Sequence, residues 1–155
     1  MNVFPASLTA EEKETLFNMP VYVTLLIAGA DEKIDKAEIA RSIELAELNK
    51  KFSRPDLHDY YQVASEDFGE KILEMLGELP ADHEKRALAI VAELEKLNDI
   101  LPKLDKEFAI DLYASAKDLA KKIAKSSGGI LGYMTIGYEE SKLIGLDMIN
   151  DPSDA

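Results

Sequence analysis

Cysteine is absent from this chain of 155 residues. That excludes disulfides, thiol catalysis, iron–sulfur clusters and every cysteine-based zinc site. It suits a reducing compartment, so a cytoplasmic location is expected. Histidine is scarce: only His58 and His83 are present, each in a polar stretch near a helix start. Neither is expected to serve as a general base or a metal ligand, because that work needs a positioned partner and a pocket. Asp59 beside His58 does not supply one, since adjacent residues on a helix do not face each other. Glycine and proline are few, 8 and 6, and strong helix formers (Ala, Leu, Glu, Lys) dominate in their place. A long apolar run is missing as well. The most apolar stretch, Val21 to Ala30, falls short of the roughly 20 residues that span a bilayer. Met1 to Ala10 lacks a basic region followed by an apolar core, so neither a signal peptide nor direct membrane insertion is expected.

Positive charge is in short supply. Lys and Arg total 18 against 30 Asp and Glu, a formal net charge of -12. Nucleic-acid affinity comes largely from neutralising phosphates with Lys and Arg, so DNA and RNA are poor partners. An anionic membrane surface repels such a chain for the same reason. Cations or a basic patch on another protein are what this charge favours, although acidity also serves plain solubility. The apolar fraction of 46% supplies a real core at this length, and one domain over residues 1–155 is expected.

Catalytic motifs are missing too. There is no Gly-x-Ser-x-Gly and no phosphate-binding Gly-x-x-x-x-Gly-Lys. Ser127-Gly128-Gly129 lacks the preceding strand and following Lys of a phosphate loop, and reads as a structural turn. With no nucleophile–base pair in view, the chain is not expected to be an enzyme.

What is present is helical. Thr9 followed by Glu12 is a capping box. Pro20 should kink or restart the helix that follows, and Val23, Leu26, Ile27 and Ala30 continue its apolar face. Val21 to Thr24 is β-prone but lies inside this helical pattern, and reads as helix. A polar turn, Asp31 to Ile34, leads to a helix from about Asp35 with Ile39, Ile43 and Ala46 on one face. Asn49 to Asp56 reads as a loop. A helix from around Ser65 carries Ile72, Leu73, Leu76 and Leu79 and stops at Pro80. Asp82 caps the next, whose stripe is Leu88, Val91, Leu94 and Leu97. After a break near Pro102, Phe108, Leu112, Ser115, Ala116, Leu119 and Ile123 recur with period 3.6 up to Ser126. A last helix is expected near Tyr138, carrying Leu143, Ile144 and Leu146. Residues 1–7 and the polar tail 151–155 are expected to fray. The fold class is all-α, a single bundle of about six or seven helices.

One acidic cluster has suggestive spacing. Asp31, Asp35 and Glu38 stand at i, i+4 and i+7, where three carboxylates and turn carbonyls would suit Ca²⁺ or Mg²⁺. Asp35-x-x-Glu38 is equally a capping-box variant, and carboxylates at a helix N-terminus are favoured by the dipole. The EF-hand pattern is not matched: Lys33, Lys36 and Ser42 occupy its third, sixth and twelfth positions.

The segment Ala28-Gly29-Ala30-Asp31-Glu32-Lys33-Ile34-Asp35-Lys36-Ala37-Glu38 resembles the Ala-Asp-Gly-x-Ile-x-x-x-Glu signature of the TerB-like tellurite-resistance family. Ser127-Gly128-Gly129-Ile130-Leu131-Gly132, with Thr135 and Glu139-Glu140 beyond, is similar to the Ser-Gly-Gly-Phe-Leu-Gly segment before that family's last helix. The family Gly is Glu32 here and its Phe is Ile130. The resemblance spans about Leu8 to Ile149 and implies an all-helical domain of two loosely repeated halves. Related domains occur in a membrane-anchored DnaJ-like co-chaperone. It implies a non-enzymatic, stress-associated domain that binds a divalent cation or a protein partner. It carries a cation role to Asp31, Asp35 and Glu38 only. A purely structural interaction module is the competing expectation.

Overall fold

In the computed structural model, residues 7–28, 55–64, 66–126 and 145–154 are described. Six α-helices of eight or more residues account for most of them: α1 (Ala10–Phe17), α2 (Met19–Ala28), α3 (Pro55–Ala64), α4 (Phe68–Glu78), α5 (His83–Glu95) and, after the single turn α6 (Leu97–Ile100), α7 (Lys106–Ser126). Two 3₁₀ turns, Leu101–Lys103 and Pro152–Asp154, complete the order. No strand occurs among the described residues, and the all-α expectation holds.

The core is organised around α2, MPVYVTLLIA, which contains no charged residue. Every residue from 19 to 27 is buried. A helix apolar all round must be covered all round, and α7, α5 and α4 pack against it. Pro20 lies in the first turn of α2, where no intrahelical N–H is required. The chain therefore restarts after Phe17, with Asn18 donating its N–H to carbonyls of α1 and accepting from Tyr22 N–H at 3.0 Å. Thr24 is 1% exposed, and its hydroxyl has no hydrogen-bond partner among the described residues.

The start of α1 is built as its spacing implies. Glu12 N–H donates to Thr9 Oγ1 at 3.1 Å, and Thr9 N–H donates to Glu12 Oε1 at 3.0 Å. Asp82 Oδ2 accepts from Lys85 N–H at 2.9 Å to cap α5. On α7, Phe108, Leu112, Ser115, Ala116, Leu119 and Ile123 are all buried, the full stripe expected from their period.

Four expectations need correction. Helix α3 runs from Pro55, where the sequence reads as a loop through Asp56 with the next helix from about Ser65. Pro at a first helical position pre-sets φ, and Leu57, Tyr60, Tyr61 and Ala64 are buried at helical spacing. Val91, Leu94 and Leu97 of the expected stripe are buried, but Leu88 is 47% exposed, and Ala87 and Ile90 complete the inner face of α5 in its place. Leu73 on α4 likewise points outward, 64% exposed. Leu146 is not helical: its φ of 51° puts it in the left-handed region within a turn at 145–148.

Side chains of α6 and α7 hold the chain at residues 145–150. Tyr113 on α7 donates its hydroxyl to the carbonyls of Gly145 and Leu146 at 3.1 and 3.2 Å. Asn98 uses both ends of its amide, donating to Met148 O at 3.1 Å and accepting from Asn150 N–H at 2.6 Å. Pro152 is buried, and the Pro152–Asp154 turn packs against α7.

Two buried tyrosines join α3 to its neighbours. Tyr60 stacks on Phe17 with ring centroids 5.5 Å apart, meets Tyr61 and Phe108 edge-on, and donates its hydroxyl to Leu16 O at 2.5 Å. Ser115 Oγ donates to Leu112 O at 2.7 Å, so in the 2.6 Å contact between Tyr61 and Ser115 the phenol is the donor. Such a chain polarises along its length. Tyr61→Phe and Ser115→Ala should each lower unfolding free energy by about 1 kcal/mol, and the double variant by less than the sum. Urea unfolding of the four proteins checks this. Strict additivity would mean that the two hydroxyls are not coupled.

Candidate functional site

A groove opens where the end of α1 meets α4 and the end of α3. On α4, Lys71, Glu74, Met75 and Glu78 stand at i, i+3, i+4 and i+7 and so share one face. On α1, Glu14, Phe17 and Asn18 repeat the i, i+3, i+4 spacing, and Val63 projects from the last turn of α3. These eight residues line a groove of about 470 Å³, within the range of ligand clefts.

Its floor is apolar and its rim acidic. Phe17 and Met75 are half-buried and pack against the core, and Val63 is 43% exposed. The stack of Phe17 on fully buried Tyr60 holds that ring in place. Glu14, Glu74 and Glu78 are exposed carboxylates around this floor, against the single ammonium of Lys71.

The acidic field extends inward to Tyr22, one turn beyond Asn18. Burial pushes the Tyr22 phenol up to about 12. The carboxylates of Glu93, Glu14 and Glu78 add to the shift, and the hydroxyl hydrogen-bonds Glu93. Three separate helices, α1, α4 and α5, thus bring carboxylates to one tyrosine. Glu93 is also paired with Lys96 at 2.9 Å.

A second cavity, of about 280 Å³, lies between the Leu101–Lys103 turn, the start of α7 and the docked tail. Leu101, Leu104, Ala109 and Pro152 give it apolar walls, with Asn98, Lys106, Asn150 and Asp151 at its polar edge. The Asn98 amide is already engaged in holding the tail. Asp151 is held below the usual carboxylate range chiefly by the Ser153 hydroxyl, which donates to it at 2.7 Å. This cavity is a seam closed by the tail.

Asp31, Asp35 and Glu38, the residues singled out for a cation, lie outside the described residues. The Ser127–Gly132 turn, Thr135 and Glu139–Glu140 lie outside them too. Among the described residues no group of three or more His, Asp or Glu could hold a metal ion. His58 is exposed on α3. No described helix is long and apolar enough to cross a membrane.

The groove was not foreseen from the sequence. The 71/74/75/78 spacing on α4 was available as a signal of a mixed face. Which helix lies opposite it depends on tertiary packing. Comparison with protein-family models, with curated proteins and with solved structures found no match.

The raised Tyr22 phenol gives a pH signature. Unfolded tyrosine ionises near 10, while folded Tyr22 keeps its proton to about 12. Between these values the unfolded state binds fewer protons, so stability falls as pH rises. The contribution is complete below about pH 10 and lost as pH climbs through about 12. Fully buried Tyr60, also pushed up, acts in the same direction. Tyr22→Phe should therefore lose less stability than the parent between pH 9 and 11. Denaturant unfolding at the two pH values measures it, and an undiminished loss would mean that burial and the neighbouring carboxylates do not raise the Tyr22 phenol.

Proposed function

We propose that this chain is a non-enzymatic, TerB-like, stress-associated domain of the cytoplasm that works by binding. The observation that carries the reading is the groove between α1, α3 and α4, an apolar floor inside a carboxylate rim. Such a surface suits recognition of a protein partner. The net charge of -12 supports a cationic partner and speaks against nucleic acid. The sequence resemblance at Ala28–Glu38 and Ser127–Gly132 supports the family assignment.

A divalent cation is the other partner of this reading. Asp31, Asp35 and Glu38 would supply the hard oxygen ligands that Ca²⁺ or Mg²⁺ prefers. The competing reading is a structural interaction module in which these acids only cap a helix.

Calorimetric titration with Ca²⁺, Mg²⁺ and Zn²⁺, followed by amide chemical shifts, separates the two. Binding heat and shifts centred on Asp31 to Glu38, both lost in Asp31→Ala and Glu38→Ala, are expected for a cation site. No heat and no shift there would sink it. Loss of about 1 kcal/mol of stability in those variants, with no change in binding, would assign the acids to helix capping.

A further inference from the structure

We propose that the groove between α1, α3 and α4 receives a basic amphipathic helix from a partner protein, its apolar stripe on Phe17, Val63 and Met75 and its Lys or Arg residues on Glu14, Glu74 and Glu78. The inference rests on the reading of the chain as a binding domain and names the chemistry of the partner.

Three observations carry it. First, the floor is apolar and partly open. Val63 is 43% exposed, and Met75, a flexible and polarizable side chain suited to adaptable contacts, is half-buried. Phe17 is stacked on a buried ring, so the anchor surface is preorganised and little conformational entropy is lost when it is covered. Second, the charge around the floor has one dominant sign: three exposed carboxylates face one ammonium. An acidic or neutral segment gains nothing from this rim, and a basic one gains attraction and orientation. Third, the walls are helices. No strand edge is offered among the described residues, so strand addition is not available there. A helix laid in a groove, with anchors at i, i+3 or i+4, and i+7, is the recognition mode that suits an apolar floor between helices. The spacing of Lys71, Glu74, Met75 and Glu78 on α4 presents floor and rim at matching intervals.

The acids of the rim are exposed and make no cavity for a bare ion, in keeping with the lack of a metal-holding cluster among the described residues. Their use is at longer range, toward side chains that keep part of their hydration. Binding is therefore expected to weaken as salt is raised.

The test uses the full chain and three synthetic peptides. One is a basic amphipathic helix with a Leu stripe and Lys on its flanks. The second has the same composition in scrambled order, without the stripe. The third keeps the stripe and replaces Lys by Glu. Fluorescence anisotropy measures affinity, and amide chemical shifts map the site. The first peptide should bind with shifts at Phe17, Val63 and Met75, at least about tenfold tighter than either of the others, a gap of roughly 1.4 kcal/mol. Glu74→Lys with Glu78→Lys should weaken it by about tenfold or more while leaving the unfolding midpoint near that of the parent, because both positions are exposed. Glu74→Gln with Glu78→Gln should fall between.

Equal binding of the scrambled peptide would overturn the inference in favour of unspecific charge attraction. Binding that shifts other residues would overturn the site. Preference for the acidic peptide at the groove would overturn the partner chemistry but leave the binding-domain reading standing. That broader reading fails only if none of the peptides and none of the cations produces a shift anywhere in the chain.

Discussion

A ten-residue helix without a charge sets the terms for the rest of this molecule. Nine consecutive residues of α2 are buried, and removing each Leu, Ile, Val or Met side chain from water contributes roughly 1.5–3 kcal/mol. No single neighbour can cover such a helix. The long amphipathic α7 takes one side, α5 another and α4 a third. Their inner faces are settled by this task, and their outer faces are left to charge.

The groove follows from that arrangement. α1 and α2 are nearly continuous, broken only at Asn18 so that Pro20 falls in a first turn. α4 has to reach α2 while α1 still flanks it, and the shallow space between them is floored by the side chains that serve neither helix fully, Phe17 and Met75. The carboxylates at its edge come from helices far apart in sequence. Two of them, Glu14 and Glu78, join Glu93 of α5 in adding to the upward shift of Tyr22, so the acidity on this side is concentrated, where composition alone describes it as generic. The remaining ion pairs do more modest work. Lys103 meets Glu12 at 2.8 Å across most of the chain length and joins the start of α1 to the 3₁₀ turn before α7, but both groups remain in contact with water, where such pairs contribute little.

Much of the fold was legible because its signals are local. A capping box is written in four residues, and Thr9–Glu12 forms as written. The period-3.6 stripe of α7 needs only its own spacing. The misreadings all involve the third dimension. Leu88 and Leu73 are apolar and correctly spaced, yet each lies just beyond the face that meets α2. α3 was hidden because Tyr and His weaken a helical pattern by propensity, while burial of Tyr60 and Tyr61 decides the matter. Hydrogen bonds that tie Asn98 and Tyr113 to residues 145–150, some thirty to fifty residues away, are likewise invisible in a local window. The groove belongs to the same class: every residue in it was readable, and their meeting was not. The acidic turn Asp31–Glu38 stays as the sequence presents it.

Native-state hydrogen exchange tests the primacy of α2 most directly. Amides in the second half of α2 and the facing stretch of α7 should exchange only through global unfolding, with the steepest denaturant dependence, whereas α4 should open earlier in a local event. Faster exchange in α2 than in α4 would contradict the account, since the helix on which the others are arranged would then be the first to come loose.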